Sequence, residues 1–452
     1  MGKCYLRDII TSDTPATAAP DYNEADSEVA QAELPAEAPV AIEAALPAAA
    51  SAIIREPEAL TESISSGSSR SSSSSNNNNL KPPYTLSIAP MMEWTDRHYR
   101  YMMRGLTQHT QLYTEMIVDG TLLHRRDDLS LFLGHDECEQ PLAVQLGGSS
   151  PTDVGEAAAI CEAYGGFNEI NLNVGCPSPR VATKACFGAR LMLDPDKTRQ
   201  ILHEMTRRVT HTNVTVKCRI GADEKDSYDD LLSFIQTVRP SLPPSLPPTF
   251  ILHARKALLS GLSPAQNRSV PPLNYPRVHS LVTAFPDCYF IINGGIQTWQ
   301  DAQAHLSEEE SAAAGWGPPV AGVMIGRAAY HHPWLFRNAD TLFFGAGRDG
   351  GRSRREVVER YLDYAEKMVL LHKDKFNGGC TPGALVKPLL NLFAGEPGGK
   401  IFRRRLSEGQ ASRKKEGWDI NGDGGASAFV ELVSLAMEDS LGSDMLDDVG
   451  LD

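Results

Sequence analysis

Eight short apolar runs, rich in β-branched residues and separated by stretches with helical spacing, organise the chain between residues 85 and 325. They cover residues 85–91, 111–116, 141–146, 169–174, 215–220, 249–254, 290–293 and 322–325. Runs of this length read as strands. Their alternation with helical patterns, such as 154–164 and 194–209, is the signature of βα units around a parallel sheet. Eight such units in about 250 residues predict a TIM barrel. An open doubly wound sheet is the alternative topology. The Pro-rich stretch 240–248 precedes the sixth run, where a stiff extended connection is tolerated.

Beyond Phe336 the strand rhythm stops. Val357, Val358, Tyr361, Leu362, Ala365, Met368 and Val369 follow helical spacing, and a second apolar set runs over 385–393. The expected organisation is a leader over 1–80, an α/β barrel over 81–340, a small all-helical domain over 341–415 and an acidic tail over 416–452. The leader is rich in Ala, Pro, Glu and Ser. Such a segment buries too little apolar surface to offset its ordering entropy, so disorder is expected there. The tail is expected to be flexible as well, although its apolar run 429–437 could pack on the body or dock a partner.

The formal charge is -14, which at first sight argues against a nucleic-acid partner. The leader carries -8 and the tail -10, however, which leaves about +4 for residues 81–415. The body is mildly basic between acidic ends, and an RNA partner stays open. The eight cysteines form no C-x-x-C pair and no metal-ligand spacing, so a reduced protein without a metal site is expected. No apolar run approaches the ~18 residues of a spanning helix. The N-terminus lacks a signal peptide's basic start and apolar stretch. Leu6 stands where a myristoylation pattern wants Ser or Thr. A cytoplasmic location is expected, with a plastid or mitochondrion as alternatives, and a monomer is the working expectation.

In a TIM barrel, reactive residues project from the C-terminal ends of strands. Polar residues gather there in this chain. The first run ends in Pro90, Met91 and Met92, the third in Gln145, and the fourth in Asn173 and Cys176. Lys217 and Arg219 mark the fifth, His253 and Arg255 the sixth, Gly294 and Gly295 the seventh, and Gly326 and Arg327 the eighth. Paired glycines let backbone N–H groups approach an anion, and Arg327 adds a permanent positive charge. Together they read as a phosphate-binding corner that a phosphorylated cofactor fits.

The runs APMMEWTDRHYR, QLGGS, NLNVGCPSPRV, VKCRIG, HARKALLSGLSP, INGGI and GVMIGRAAYHHPWLF resemble the tRNA-dihydrouridine synthases, and most of all their A-type branch. The resemblance covers roughly residues 81–407. It implies FMN contacts at Pro90, Met91, Met92, Gln145, Lys217, His253, Gly294, Gly295, Gly326 and Arg327, with NADPH as reductant. It implies that Cys176 is the general acid and that Asn173 helps hold the target base. Arg255, Ser263, Gln266 and Lys387 fall where the family touches tRNA. Gly383 stands where an arginine is usual. The implied reaction reduces the C5=C6 bond of a D-loop uridine, at position 20 or its neighbour. Hydride comes from reduced FMN and a proton from a thiol, which is mostly protonated at neutral pH. The base must leave its stack to react. The basic cluster Arg403, Arg404 and Arg405 is expected to contact RNA phosphates, with a solvated helix face as the alternative.

Other readings carry different chemistry. An FMN-dependent barrel acting on a small molecule, like dihydroorotate dehydrogenase, would share the phosphate corner and Lys217 but need no helical appendage. A non-catalytic tRNA-binding factor would not need Cys176. Cys161, Cys218 and Cys288 read as buried small hydrophobes, and Cys186 is a nearby rival for the acid. Residues 419–424 open like an EF-hand loop, but its twelfth position is Val430 rather than Glu, so no metal is expected.

Overall fold

The computed structural model describes residues 85–178, 181, 186–346, 352–372 and 380–448. The expected leader over 1–80 lies outside them. All eight expected strands form: β1 (Leu86–Ile88), β2 (Leu112–Val118), β3 (Leu142–Gly147), β4 (Glu169–Val174), β5 (Asn213–Arg219), β6 (Thr249–His253), β7 (Tyr289–Asn293) and β8 (Gly322–Ile325). The first is shorter than its apolar run because Pro90 has no N–H to donate to a ladder.

The strands pair in parallel in the order β1-β8-β7-β6-β5-β4-β3-β2. At the remaining seam, Ile88 N–H donates to Gln111 O at 2.9 Å and Gln111 N–H to Leu86 O at 3.0 Å. β1 therefore has a neighbour on each side. The sheet closes into a barrel, which excludes the open alternative.

Both faces of the sheet are covered, which is why its strands read as nearly continuous apolar runs. Outward residues such as Val144, Leu172 and Val216 join the main core beneath the helices. Inward residues Ala89, Tyr113, Ala143, Ile251, Ile291 and Met324 form a separate cluster inside the barrel. A helix follows each strand: α1 (Arg97–Met103), α2 (Asp119–His124), α3 (Pro151–Tyr164), α4 (Pro195–Arg208), α5 (Tyr228–Val238), α6 (Tyr275–Ala284), α7 (Trp299–Leu306) and α8 (Arg327–His331). Ser150, Asp194, Ser227 and Thr298 cap α3, α4, α5 and α7, satisfying N–H groups that the first turn leaves open.

Past α9 (Ala339–Phe344), the chain adds α10 (Arg354–His372), α11 (Pro382–Val386), α12 (Gly399–Lys415), α13 (Gly425–Glu438) and α14 (Ser443–Asp447). The seven residues of α10 with helical spacing are all buried. They join the same core as the barrel helices. Tyr364 hydroxyl meets His98 Nδ1 at 2.9 Å, and its ring stacks on Tyr101 at 3.9 Å. The helical region is thus tied to α1, beside the end of β1.

The segment after Glu416 departs from the expectation of a flexible tail. It folds into α13 and α14, with Phe429, Leu432, Val433, Ala436, Met437 and Leu446 buried. The apolar residues fall at i, i+3, i+4, i+7 and i+8, one face of a helix. The acids lie outside that face, where Glu431 pairs with Arg413 at 3.1 Å, Asp439 with Arg405 and Asp447 with Arg355. Packing decides the outcome, and charge does not prevent it. The EF-hand-like stretch becomes the turn between α12 and α13, pinned by buried Ile420. Among the described residues, no helix is long and apolar enough to cross a membrane.

Candidate active site

Register across three strands positions Cys176. β3, β4 and β5 align so that Gln145 lies opposite Asn171, and Asn173 opposite Lys217. The amides form a chain inside the barrel. Asn173 Nδ2 donates to Gln145 Oε1 at 2.8 Å, Gln145 Nε2 to Asn171 Oδ1 at 2.8 Å, and Asn171 Nδ2 to Thr215 Oγ1 at 2.7 Å. At the foot, Thr215 and Tyr113 hydroxyls donate to Glu169 Oε1 at 2.5 and 2.6 Å. Burial raises the Glu169 carboxyl to about 7, against hydrogen bonds from Thr215, Tyr113 and Asn171 that lower it.

At the top, Asn173 Oδ1 accepts the N–H groups of Gly175 at 3.2 Å and Cys176 at 3.0 Å. Cys176 O accepts from Ala189 N–H at 2.8 Å, and Arg219 Nε donates to Gly175 O at 3.0 Å. The backbone that carries the half-buried thiol is therefore held from three directions. Burial raises the thiol's pKa, opposed by the backbone N–H of Ser178 and by Arg219, Arg268 and Lys217. It stays protonated at neutral pH, as an acid must. Cys161, Cys218 and Cys288 are buried and Cys186 is exposed.

Lys217 donates to Asn293 Oδ1 at 3.1 Å, and burial, with Arg219 beside it, lowers its ammonium to about 8. Burial also holds His253 well below the ordinary histidine range, reinforced by Arg219, Lys217, Arg255 and Arg268. His253 is thus neutral. It packs on Gly294, whose φ is +108°; a Cβ there would come 2.3 Å from the imidazole. At Gly295, with φ +79°, a Cβ would come 2.5 Å from Tyr275 hydroxyl. That hydroxyl donates to Gly294 O at 2.9 Å. The paired glycines let His253, Leu273 and Tyr275 pack directly on the backbone after β7.

On the other side of the corner, Gly326 packs beside Ala89 and Met91. Exposed Arg327 reaches Arg268 O at 3.3 Å, and Arg255 lies within its electrostatic reach. Arg255 itself is anchored on Pro271 O. Ser263 and Gln266 are exposed on the loop after β6 and cap one another, at 2.9 and 3.2 Å. Buried Asn267 fixes that loop through both atoms of Leu258's peptide group. Arg268 and Tyr275 escape the sequence reading; Arg268's one signal is its place two residues after Gln266.

The β1–α1 loop closes the mouth. Met91 N–H donates to Thr95 Oγ1 at 3.0 Å, and Glu93 takes a left-handed φ of +62°. Both peptide groups of Glu93 are held: its N–H by Glu115 and its O by Lys387 Nζ. Lys387 thus reaches the β1–α1 loop from the helical region. Burial, with Asp96 beside it, raises the Glu115 carboxyl to about 7. A cavity of about 850 Å³ opens here, walled by Glu115, Asp96 and Gly383; of the expected site residues, Met92 and Lys387 line it. It lies beside the mouth, away from Cys176 and Lys217. In the basic cluster, Arg405 is engaged by Asp439, while Arg403 and Arg404 are exposed.

The chain matches the family model described as Dihydrouridine synthase (Dus) over residues 87–426. It is 42% identical over 340 residues to the tRNA-dihydrouridine(20/20a) synthase of Escherichia coli O6:H1, covering 75% of this chain and 93% of that protein. The protein of the same name from Vibrio cholerae is 41% identical over 323 residues, 72% of this chain and 90% of its own. Among solved structures, morphinone reductase aligns over 59% of this chain and 87% of its own, at 10% identity and a TM-score of 0.39. That last likeness carries no weight for function.

Proposed function

The chain belongs to the dihydrouridine synthase family, and we propose that it reduces the C5=C6 bond of uridine 20 or 20a in tRNA, with FMN as cofactor, NADPH as reductant and Cys176 as proton donor. The observation that carries this reading is the gathering of the Cys176 thiol, the partly buried Lys217 and the Gly294–Gly295 pair at one end of the barrel strands. The residues present fit FMN. Gly294 and Gly295 take positive φ values that turn the chain at the end of β7, Arg327 and Arg255 offer charge to a phosphate, and Lys217 offers charge to a ring. When bound and reduced by NADPH, the flavin supplies a hydride to C6 of the uracil.

Cys176 completes the reduction by giving its proton to C5, so the S–H bond breaks as the C–H bond forms. The thiolate left behind is stabilised by Arg219, Arg268 and Lys217, the charges that already act on it. Asn173 fixes the direction of the thiol through the Cys176 N–H and keeps one amide hydrogen for the base. Ser263, Gln266 and Lys387, together with exposed Arg403 and Arg404, are the RNA contacts of this reading. Phosphate contacts of this kind offset the few kcal/mol of extracting a base.

The test is a half-reaction. Protein reduced by NADPH without oxygen is expected to be reoxidised by unmodified tRNA, and not by tRNA already carrying dihydrouridine. Reoxidation by neither, with FMN bound, would point to a small-molecule oxidant.

A further inference from the structure

The barrel rim carries an aromatic group that the reaction above does not use. Trp94 lies one turn beyond Met91, its N–H donating to Met91 O at 3.1 Å. Its ring stacks on Tyr330 of α8, with centroids 4.1 Å apart and planes at 9°, and meets His331 edge-on at 5.3 Å. Tyr330 is fixed in turn. Tyr99 contacts its ring at 5.8 Å, and Asn391 Nδ2 donates to its carbonyl at 3.0 Å. A stack held by the β1–α1 loop, α8 and the helical region is a rigid surface.

Tyr330 packs against the core, whereas Trp94 does not, although an indole is among the largest apolar groups a chain can bury. Trp94 is partly exposed and His331 is exposed. Charge gathers around them. Exposed Arg403 acts electrostatically on both Tyr330 and His331, opposing Asp96 and Glu93 at Tyr330, and Lys387 holds the carbonyl of Glu93, the residue before Trp94. An aromatic face flanked by cations binds single-stranded nucleic acid: the ring takes a base and the cations take the phosphates. A ring that served only to fill space would be covered by the core, as Tyr99 is at 2% exposure.

We propose that Trp94, backed by Tyr330 and His331, is a stacking platform for an unpaired base next to the reacting uridine, with Arg403 taking the adjoining phosphate. This rests on the tRNA reading above and adds a subsite to it. Extracting one uridine from a loop leaves a neighbour without its stacking partner. The platform replaces that partner a short distance along the rim, so part of the extraction cost is recovered.

The experiment is a salt series of tRNA dissociation constants on FMN-loaded protein. Trp94→Leu is expected to weaken binding roughly ten-fold or more at every salt concentration, leaving the salt slope unchanged. Trp94→Phe, which keeps a stacking face, is expected to retain most of the affinity. Arg403→Gln, on an exposed helix face, is expected to lower the slope by about one. Wild-type affinity in Trp94→Leu, or equal losses in Leu and Phe variants, would overturn the platform. An unchanged slope in Arg403→Gln would overturn the phosphate contact. A wild-type protein that binds no tRNA would remove the functional reading itself, and the platform with it.

Discussion

The side-chain oxygen of Asn173 accepts the backbone N–H of Cys176 at 3.0 Å. The opposite end of the same amide is tied through Gln145, Asn171 and Thr215 to Glu169, deep in the barrel. The thiol's position is therefore set by a hydrogen-bonded chain crossing three strands.

Removing the first link should misplace the acid. Asn173→Ala is expected to lower turnover on tRNA by roughly 100-fold, the scale associated with misplacing a reacting group by about 1 Å. Single-turnover kinetics of the reduced protein with saturating tRNA measure this. An unchanged rate would show that the loop holds itself.

The foot of the chain makes stability depend on pH. Glu169 is raised from an ordinary value of 4.5 to about 7, so between these values the folded state binds more protons than the unfolded state. Stability from this group is present in full below about 4.5 and is lost as pH rises through 7. The loss is on the order of 3 kcal/mol. Glu169→Gln keeps an acceptor for Tyr113 and Thr215 and removes the ionisation. Denaturant unfolding from pH 5 to 8 should show the decline in the wild-type chain and its flattening in the variant.

The glycine pair after β7 tolerates no side chain. In Gly294→Ala the new Cβ would meet the His253 ring at a backbone φ that L residues rarely adopt. The variant is expected to purify with less than about a tenth of the wild-type flavin, on the scale of about 1.4 kcal/mol or more per ten-fold change in affinity. Full flavin content would place the phosphate elsewhere.

The C-terminal helices are part of the fold. Phe429 is 1% exposed, and Phe429→Ala is expected to cost about 3–5 kcal/mol in denaturant unfolding. A loosely attached tail would give no measurable change.

The barrel was legible because parallel strands buried on both faces leave an apolar run at each strand, and because glycines and charges cluster at strand ends. The chain from Asn173 to Glu169 was not, since it depends on register: a shift of one residue turns Gln145 or Asn171 out of the barrel. Nor was the Trp94–Tyr330 stack, whose partners lie far apart in sequence and meet only when β1 closes on β8. The acidic C-terminal segment was misread because net charge outweighed the helical spacing of Phe429, Leu432, Val433, Ala436 and Met437. That spacing was the better guide.

The central claim is that Cys176 protonates a uridine in tRNA. It is tested most directly by position-resolved mass spectrometry of unmodified tRNA incubated with FMN-loaded protein and NADPH. The expected result is a gain of one hydrogen pair at position 20 or 20a with the wild-type chain, reduced by roughly 100-fold or more in rate with Cys176→Ala. Equal gain with the alanine variant, or none at any uridine with a flavin that NADPH reduces, would contradict it.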